Sequence, residues 1–152
     1  MSKSKKIISP SIFLEEVAVI ISTENKNKAK ADTDMSDVMV SRAIAFTSAL
    51  LRPLAYIQSE GEIKLTLARF SDYLELSKVE ELILNQDELY RDRDDAKEVT
   101  SSLIAYIKTI PFYDDALAIQ DQPEQMKEYF GAISMTVMTA VKKLEADYDY
   151  II

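Results

Sequence analysis

Residues 35–51 read MSDVMVSRAIAFTSALL, and their apolar side chains return every three or four positions. This spacing predicts a helix with one continuous apolar face, which must pack against another part of the protein. We expect the helix to begin at Asp34 or Ser36, and Pro53 to kink it or end it near Leu51. The inward positions, interrupted by Arg42, are Met35, Val38, Met39, Ala43, Phe46, Leu50 and Leu51.

A second long apolar stripe follows Pro123, which is suited to the first turn of a helix. Its inward positions are Met126, Tyr129, Phe130, Ile133, Val137, Val141 and Leu144. In a chain of 152 residues the two longest apolar faces must cover each other. We therefore expect the helix that carries Phe46 and the helix that carries Ile133 to touch.

The rest of the chain is also typical of helices, because it holds only 2 glycines and 4 prolines. Shorter helices are predicted from about Ser9 or Ser11 to Ile21, and over about 67–74, 77–85 and 94–109. Residues 63–67 alternate in hydropathy, so a short strand stays open there, and Thr66 is equally good as a helix cap.

The predicted fold class is therefore all-α. We expect a compact bundle of about six or seven helices, with the two long helices packed together, and a single domain over residues 1–152. Residues 1–9 and 149–152 are predicted to be flexible ends. Residues 23–33 have no apolar period, which predicts a mobile surface loop.

Composition argues against an enzyme. The chain has no cysteine and no histidine, which excludes disulfides and thiolate chemistry and removes the commonest general base and zinc ligand. Two glycines and no Gly-Lys-Ser or Gly-Lys-Thr run leave no phosphate-binding loop. We expect no catalytic residue, no metal ligand and no cofactor.

Charge is unevenly distributed along the chain. The formal net charge is −8, but residues 1–31 carry +3 and residues 32–152 carry −11. Lys26, Lys28 and Lys30 alternate within the predicted loop and could contact phosphates, although a solvated loop is the simpler interpretation. Weak, salt-dependent DNA binding is the most that we expect of them.

Residues 66–83 resemble a helix-turn-helix pair, whose second helix would present Lys78. Lys78 is thus a further candidate contact for nucleic acid or a protein partner. Glu75, Glu80 and Glu81 lie on or beside the same short helix, and carboxylates repel a phosphate backbone. Packing is accordingly favoured over base reading for this pair.

The chain ends with Tyr148-Asp-Tyr-Ile-Ile152, an apolar stub that either docks as an edge strand or belongs to a larger protein from which the chain was cut. The second interpretation is favoured here. No run of 18 apolar residues and no signal-peptide core are present. These observations predict a cytoplasmic protein without direct membrane insertion.

Three stretches resemble the type IV coupling proteins, the TraD/TraG/DotL-like hexameric ATPases of conjugation and type IV secretion. They are LIAYIKTIPFYD at residues 103–114, QMKEYFG at residues 125–131, and the terminal YDYII that follows Met135-Thr136 and Leu144. Residues 50–83 are similar to the long helix and leucine-rich region of that family. Pro111-Phe112-Tyr113 departs from the family pattern, which has glycine after the proline, and the usual histidine before that glycine is missing.

The resemblance implies an all-α domain inserted into an ATPase domain, at the cytosolic mouth of a hexamer anchored at the bacterial inner membrane. It implies a non-catalytic role in substrate recognition, with protein cargo, a relaxosome or a secretion adaptor as partner. The family's nucleotide-binding loops are absent from this chain, so the hexamer and the ATPase would belong to the full-length parent. Two alternatives stay open: a helix-turn-helix regulator, and a stand-alone acidic adaptor or chaperone.

Overall fold

The computed structural model describes the backbone of residues 6–28, 33–59, 64–84 and 96–151, and the side chains of residues 6–24, 37–59, 64–84 and 98–151. These residues form an all-α bundle, as predicted. They also form one short strand pair, which lies in the predicted flexible ends. The helices are α1 (Pro10–Lys28), α2 (Thr33–Ser59), α3 (Leu67–Asp72), α4 (Leu76–Leu84), α5 (Ala96–Lys108) and α6 (Glu124–Leu144). A 3-10 turn (Ile119–Asp121) precedes α6, and the strands are β1 (Ile7–Ile8) and β2 (Tyr150–Ile151).

The two longest helices, α2 and α6, pack against each other, which confirms the central prediction for the core. The Phe46 ring meets the Phe130 ring edge-on, with centroids 5.2 Å apart, and stacks on Tyr106 of α5 at 5.5 Å. Ile133 and Val137, in the middle of the α6 stripe, have no exposed surface. Val38, predicted to face inward, is instead 48% exposed near the start of α2.

Pro53 does not end α2, which continues to Ser59. The apolar face continues past the proline, and Leu54 and Ile57 are fully buried. A proline inside a helix costs about 3 kcal/mol. Burial of two large aliphatic side chains contributes about 3–6 kcal/mol, which is enough to offset that cost.

The predicted loop over 23–33 is wrong for its first part, because α1 extends to Lys28. Glu24 forms an ion pair with Lys143 of α6, so the end of α1 has a partner that its own sequence does not show. The helix also packs through Phe13, whose ring meets Phe70 of α3 edge-on at 5.0 Å. Residues 29–32 of the predicted loop lie outside the described residues.

The two ends of the chain, predicted to be flexible, pair with each other where the structure describes them. β1 and β2 pair in parallel, with Ile7 opposite Tyr150 and Ile8 opposite Ile151. Ile8 is 2% exposed and Ile151 is fully buried. The terminal stub therefore docks as a strand within this chain, which is compatible with the chain being part of a larger protein. Residues 1–5 and 152 lie outside the described part of the chain.

The other edge of β2 contacts the segment that follows α2. The Ile151 amide donates to the Leu65 carbonyl at 2.9 Å, and Thr66 forms an antiparallel bridge with Tyr150. Gln58 joins these two segments. Its Oε1 accepts from the Leu65 amide at 2.7 Å, and its Nε2 donates to the Ile151 carbonyl at 2.8 Å. Both sequence options for residues 63–67 thus hold in part, because Thr66 also caps α3 by accepting from the Arg69 amide.

Within α2, the segment Asp37–Ser59 is long and apolar enough to cross a membrane, with a mean hydropathy of 1.3. The core helix of a soluble bundle passes the same test of length and composition. Here Phe46, Leu50 and Leu54 are fully buried among the other helices. The apolar character of α2 is accounted for by its central position in the bundle.

Candidate functional site

The three lysines proposed as an arm fall at and beyond the end of α1. Lys26 and Lys28 belong to the helix, but their side chains are not among those described, and Lys30 lies outside the described backbone. Their role therefore stays a prediction. Lys78 is exposed on α4 and lies 3.5 Å from the Glu81 carboxylate, so its charge is partly compensated within the chain.

The helix pair α3–α4 forms as predicted, but its surroundings favour packing. Ser134 of α6 donates to the Leu74 carbonyl at 2.8 Å and ties the turn between the two helices to the core. Glu80 lies three positions after Ser77, a spacing that favours a capping box, but its carboxylate is used elsewhere. Its side chain turns away from solvent, and its Oε2 accepts from the Gln120 amide at 3.1 Å. The exposed positions of α4 include only one cation, already paired, and so offer little to a phosphate backbone.

The most distinctive surface is the segment of residues 111–122 between α5 and α6, which we call the braced loop. Gln122 is 3% exposed and lies under it. Its Oε1 accepts from the Asp114 amide at 2.7 Å, and its Nε2 donates to the carbonyls of Asp114 and Leu117 at 2.9 and 3.0 Å. One buried amide group thus bonds three main-chain groups of the loop.

Glu80 supplies a second brace from α4. This carboxylate is 8% exposed and holds the 3-10 turn through the Gln120 amide. At the other end of the loop the Tyr113 amide donates to the Ile110 carbonyl at 3.1 Å, and the tyrosine ring packs partly against the core. The braced loop is fixed at both ends and from below, which is typical of compact loops that carry function.

The outer side of the braced loop combines apolar and acidic groups. Phe112 is 61% exposed and Leu117 is 38% exposed. Asp114, Asp115 and Asp121 are exposed in the same segment, and residues 109–126 contain no lysine or arginine. An apolar group flanked by carboxylates can accept an apolar side chain that has cationic neighbours.

Phe112 adopts a backbone conformation that disfavours its own side chain. Its φ is 71°, in the left-handed region where glycine is normally preferred. A bulky residue there stores local strain, which persists only where the surrounding structure imposes it. Because most of the ring is exposed, burial of the ring in the core does not account for its presence.

A second concave surface lies between α2 and α5. This groove of about 490 Å³ is lined by Ala45, Ser48, Ala49, Arg52, Ser102, Ala105, Tyr106 and Thr109. Arg52 closes one side, where its Nη1 contacts Ser102 Oγ at 3.4 Å and its Nη2 lies 3.9 Å from Glu98. The small side chains allow the two helices to approach closely, and this accounts for the groove without a ligand.

Arg42 and Tyr106 fasten the same two helices at the end of α5. Arg42 donates to the Thr109 carbonyl at 3.1 Å, and its guanidinium lies 5.5 Å from the centre of the Tyr129 ring. Burial raises the pKa of the Tyr106 phenol well above its ordinary value, and the neighbouring Arg42 charge opposes that rise. The position marked by sequence as a break in the apolar stripe is thus a helix-to-helix contact.

A smaller pocket of about 300 Å³ adjoins β2 and is lined by Thr66, Leu67, Ala68, Glu145, Tyr148, Asp149 and Tyr150. The chain already supplies a cation here, because the Lys64 ammonium lies 4.3 Å from the centre of the Tyr150 ring. Among the described side chains, no group of three or more acidic residues is arranged to hold a metal ion.

Comparison with known proteins gives one informative relative. Over 140 residues, which are 88% of this chain, the sequence is 29% identical to the type 4 coupling protein DotL of Legionella pneumophila. The chain spans only 17% of the length of that relative. No protein-family model and no solved structure matches the chain.

The chain is therefore related to a region of a type IV coupling protein. This supports the coarse part of the resemblance drawn from residues 103–152. Membership of the TraD/TraG branch stays a prediction.

Proposed function

We propose that this chain is a non-catalytic docking domain of a coupling-protein ATPase, which binds protein cargo, a relaxosome component or a secretion adaptor. The observation that carries the proposal is the similarity to DotL, which extends over 88% of the chain but over only a small part of DotL. A helical bundle without histidine, cysteine or a phosphate loop has binding surfaces to offer rather than reaction chemistry.

The strand pair supports the insertion that the resemblance implies. β1 and β2 lie side by side in parallel, although one is near residue 7 and the other near residue 150. A domain inserted into another fold needs its first and last segments close together. The bundle would then be carried on this two-stranded stem in a cytoplasmic part of a hexameric, membrane-anchored parent.

Charge favours a protein partner over nucleic acid. Residues 32–152 carry a formal charge of −11, and the described face of α4 offers no unpaired cation to phosphates. A surface of this sign attracts basic proteins and repels DNA. The stand-alone adaptor hypothesis uses the same acidic surface, and it replaces the domain hypothesis if the gene encodes this chain alone.

The test is a transfer assay in cells that encode this chain. Within the parent protein, residues 9–149 in the numbering of this chain are replaced by a flexible Gly/Ser linker. The linker joins the two strands of the stem. We expect transfer of protein or relaxase-bound cargo to be lost, while ATP hydrolysis by the purified parent is retained. Transfer at the unaltered rate would contradict the proposal. ATP hydrolysis by the isolated chain that a single substitution abolishes would contradict the statement that the domain is non-catalytic.

A further inference from the structure

We propose that the braced loop is a docking surface for a peptide segment of a partner protein in which apolar side chains alternate with lysine or arginine. Phe112 and Leu117 contact the apolar side chains of the peptide, and Asp115 with its acidic neighbours pairs with the cations. This inference rests on the proposed function only for the identity of the partner as cargo or adaptor.

Phe112 has a backbone conformation that disfavours its own side chain. A phenylalanine at a φ of 71° is strained, and with 61% of its surface exposed it gains little from the core. Strain of this kind is found chiefly at functional positions. Aromatic side chains, including phenylalanine, are also enriched in the cores of protein–protein interfaces.

The braced loop is held in place by two buried side chains. Gln122 and Glu80 are both more than nine-tenths buried, and both use their side chains to hold main-chain groups of the loop. A surface that is already fixed loses little conformational entropy on binding. The braced loop thus presents Phe112 and Leu117 in one arrangement before any partner arrives.

The negative charge of the braced loop and its neighbours selects the class of partner. Between residues 109 and 126 the chain has four carboxylates and no cation. Anionic lipid and nucleic acid are repelled by such a rim, and a second copy of this chain, with its own net charge of −8, is disfavoured as well. A cationic peptide with apolar side chains satisfies both features of the surface.

The test uses fluorescence anisotropy with the whole chain and a labelled twelve-residue peptide of alternating leucine and arginine. Two matched peptides replace every leucine by serine, or every arginine by glutamate. We expect binding of the leucine–arginine peptide to be at least about tenfold tighter than binding of either matched peptide. Equal binding of the serine peptide would reduce the effect to bulk charge and overturn the proposal.

Variants locate the site. Phe112→Gly relieves the backbone strain and should keep or raise the melting temperature, while it weakens peptide binding about tenfold or more. Asp115→Lys should also weaken binding. Met135→Ala is the matched control, because Met135 is 63% exposed on α6 outside the loop and its removal should change nothing. Peptide binding that survives Phe112→Gly overturns the proposal.

Other occupants have their own signatures. Sedimentation showing that the chain self-associates, and that Phe112→Gly abolishes this, would assign the surface to a second copy and overturn the proposal. Binding of vesicles of anionic phospholipid that depends on Phe112 would do the same for a membrane. If deletion of the whole domain stops cargo transfer but Phe112→Gly in the parent does not, the proposed function stands and the braced loop is not its docking surface.

Discussion

The Tyr106 hydroxyl donates a 2.7 Å hydrogen bond to the main-chain carbonyl of Arg42. Arg42 in turn donates through Nη1 to the Thr109 carbonyl, directly after α5. Each of the two side chains thus bonds to a main-chain carbonyl on or beside the other helix. Arg42 Nε is buried and has no hydrogen-bond partner among the described residues. This reciprocal contact locks α2 against α5 and places the start of the braced loop directly after it.

Alkaline pH should weaken this contact. Burial raises the pKa of Tyr106 in the folded chain, whereas in the unfolded chain it lies at about 10. The stabilisation from the neutral phenol is therefore complete below about pH 10 and is lost as the pH rises from there toward the folded-state pKa.

Urea unfolding of the wild type and Tyr106→Phe, from about pH 8 to about pH 11, checks this prediction. The variant should lose about 1 kcal/mol at neutral pH, because one hydrogen bond is missing, but it should lose less than the wild type above pH 10. The other tyrosines are present in both proteins, so parallel losses above pH 10 would contradict the assignment to Tyr106.

Gln122→Ala should destabilise the chain and loosen the braced loop. The substitution leaves the Asp114 amide and two carbonyls without the partner that they have in the fold. A buried hydrogen-bonding group left unsatisfied costs about 1–3 kcal/mol. Denaturant melts provide the measurement, with the exposed neighbour Gln125→Ala as control, which should shift stability by less than about 0.5 kcal/mol. Equal stability of the two variants would show that Gln122 does not brace the loop.

The end of the chain should contribute to stability. Ile151 is fully buried between β1 and the Leu65 segment, so Ile151→Ala should cost about 2–5 kcal/mol through lost transfer energy and a cavity. Removal of residues 147–152 should cost at least as much. An unchanged denaturation midpoint for the truncated chain would mean that the stub does not dock in solution.

The core pairing of α2 and α6 gives a similar but separate prediction. Ile133 lies in the apolar stripe of α6 and is fully buried. Ile133→Ala should lower the free energy of unfolding, measured in a urea melt, by about 2–5 kcal/mol. Met135→Ala, two positions away and exposed, should cost less than about 0.5 kcal/mol. If Ile133→Ala left stability unchanged but abolished partner binding, that stripe would be a docking groove and the architecture would be wrong.

Any binding of DNA should be weak and due to the three lysines at and beyond the end of α1. Changing Lys26, Lys28 and Lys30 together to alanine should remove most of the binding of a duplex at low salt. Lys78→Ala is the control, because its ammonium is already beside Glu81. Anisotropy titrations at two salt concentrations measure both, and sequence-specific binding that persists at high salt would instead support the helix-turn-helix alternative.

Local periodicity is sufficient to predict that the helices exist and which residues form most of the core, but not where α1 and α2 end. Phe46 and Ile133 lie on apolar stripes that can be recognised from a few neighbouring residues, and both are buried. The strand pair depends on Ile8 meeting Ile151 from the opposite end of the chain, which no local pattern reveals. Within the unpredicted extension of α1, Glu24 likewise meets a distant residue, Lys143, which no local pattern reveals.

The candidate site was harder to predict than the fold. The sequence places Glu80 among the carboxylates that would face a phosphate backbone, whereas its side chain is buried against the loop. Gln122 directly precedes Pro123 and the last helix, and its role as a brace follows only from the folded positions of Asp114 and Leu117. The left-handed conformation of Phe112 runs against the preference of the residue itself, and the sequence hint to it is the glycine that the resembled family has after the proline.

The central claim, that this bundle docks proteins, is tested most directly by calorimetric titration of the isolated chain. Purified cargo, relaxase and adaptor proteins from the same cells, and a DNA duplex, are each titrated at about 150 mM salt. We expect at least one protein to bind with an affinity that Phe112→Gly weakens, and the duplex to give no measurable heat. Tight binding of the duplex with no binding of any protein would contradict the account.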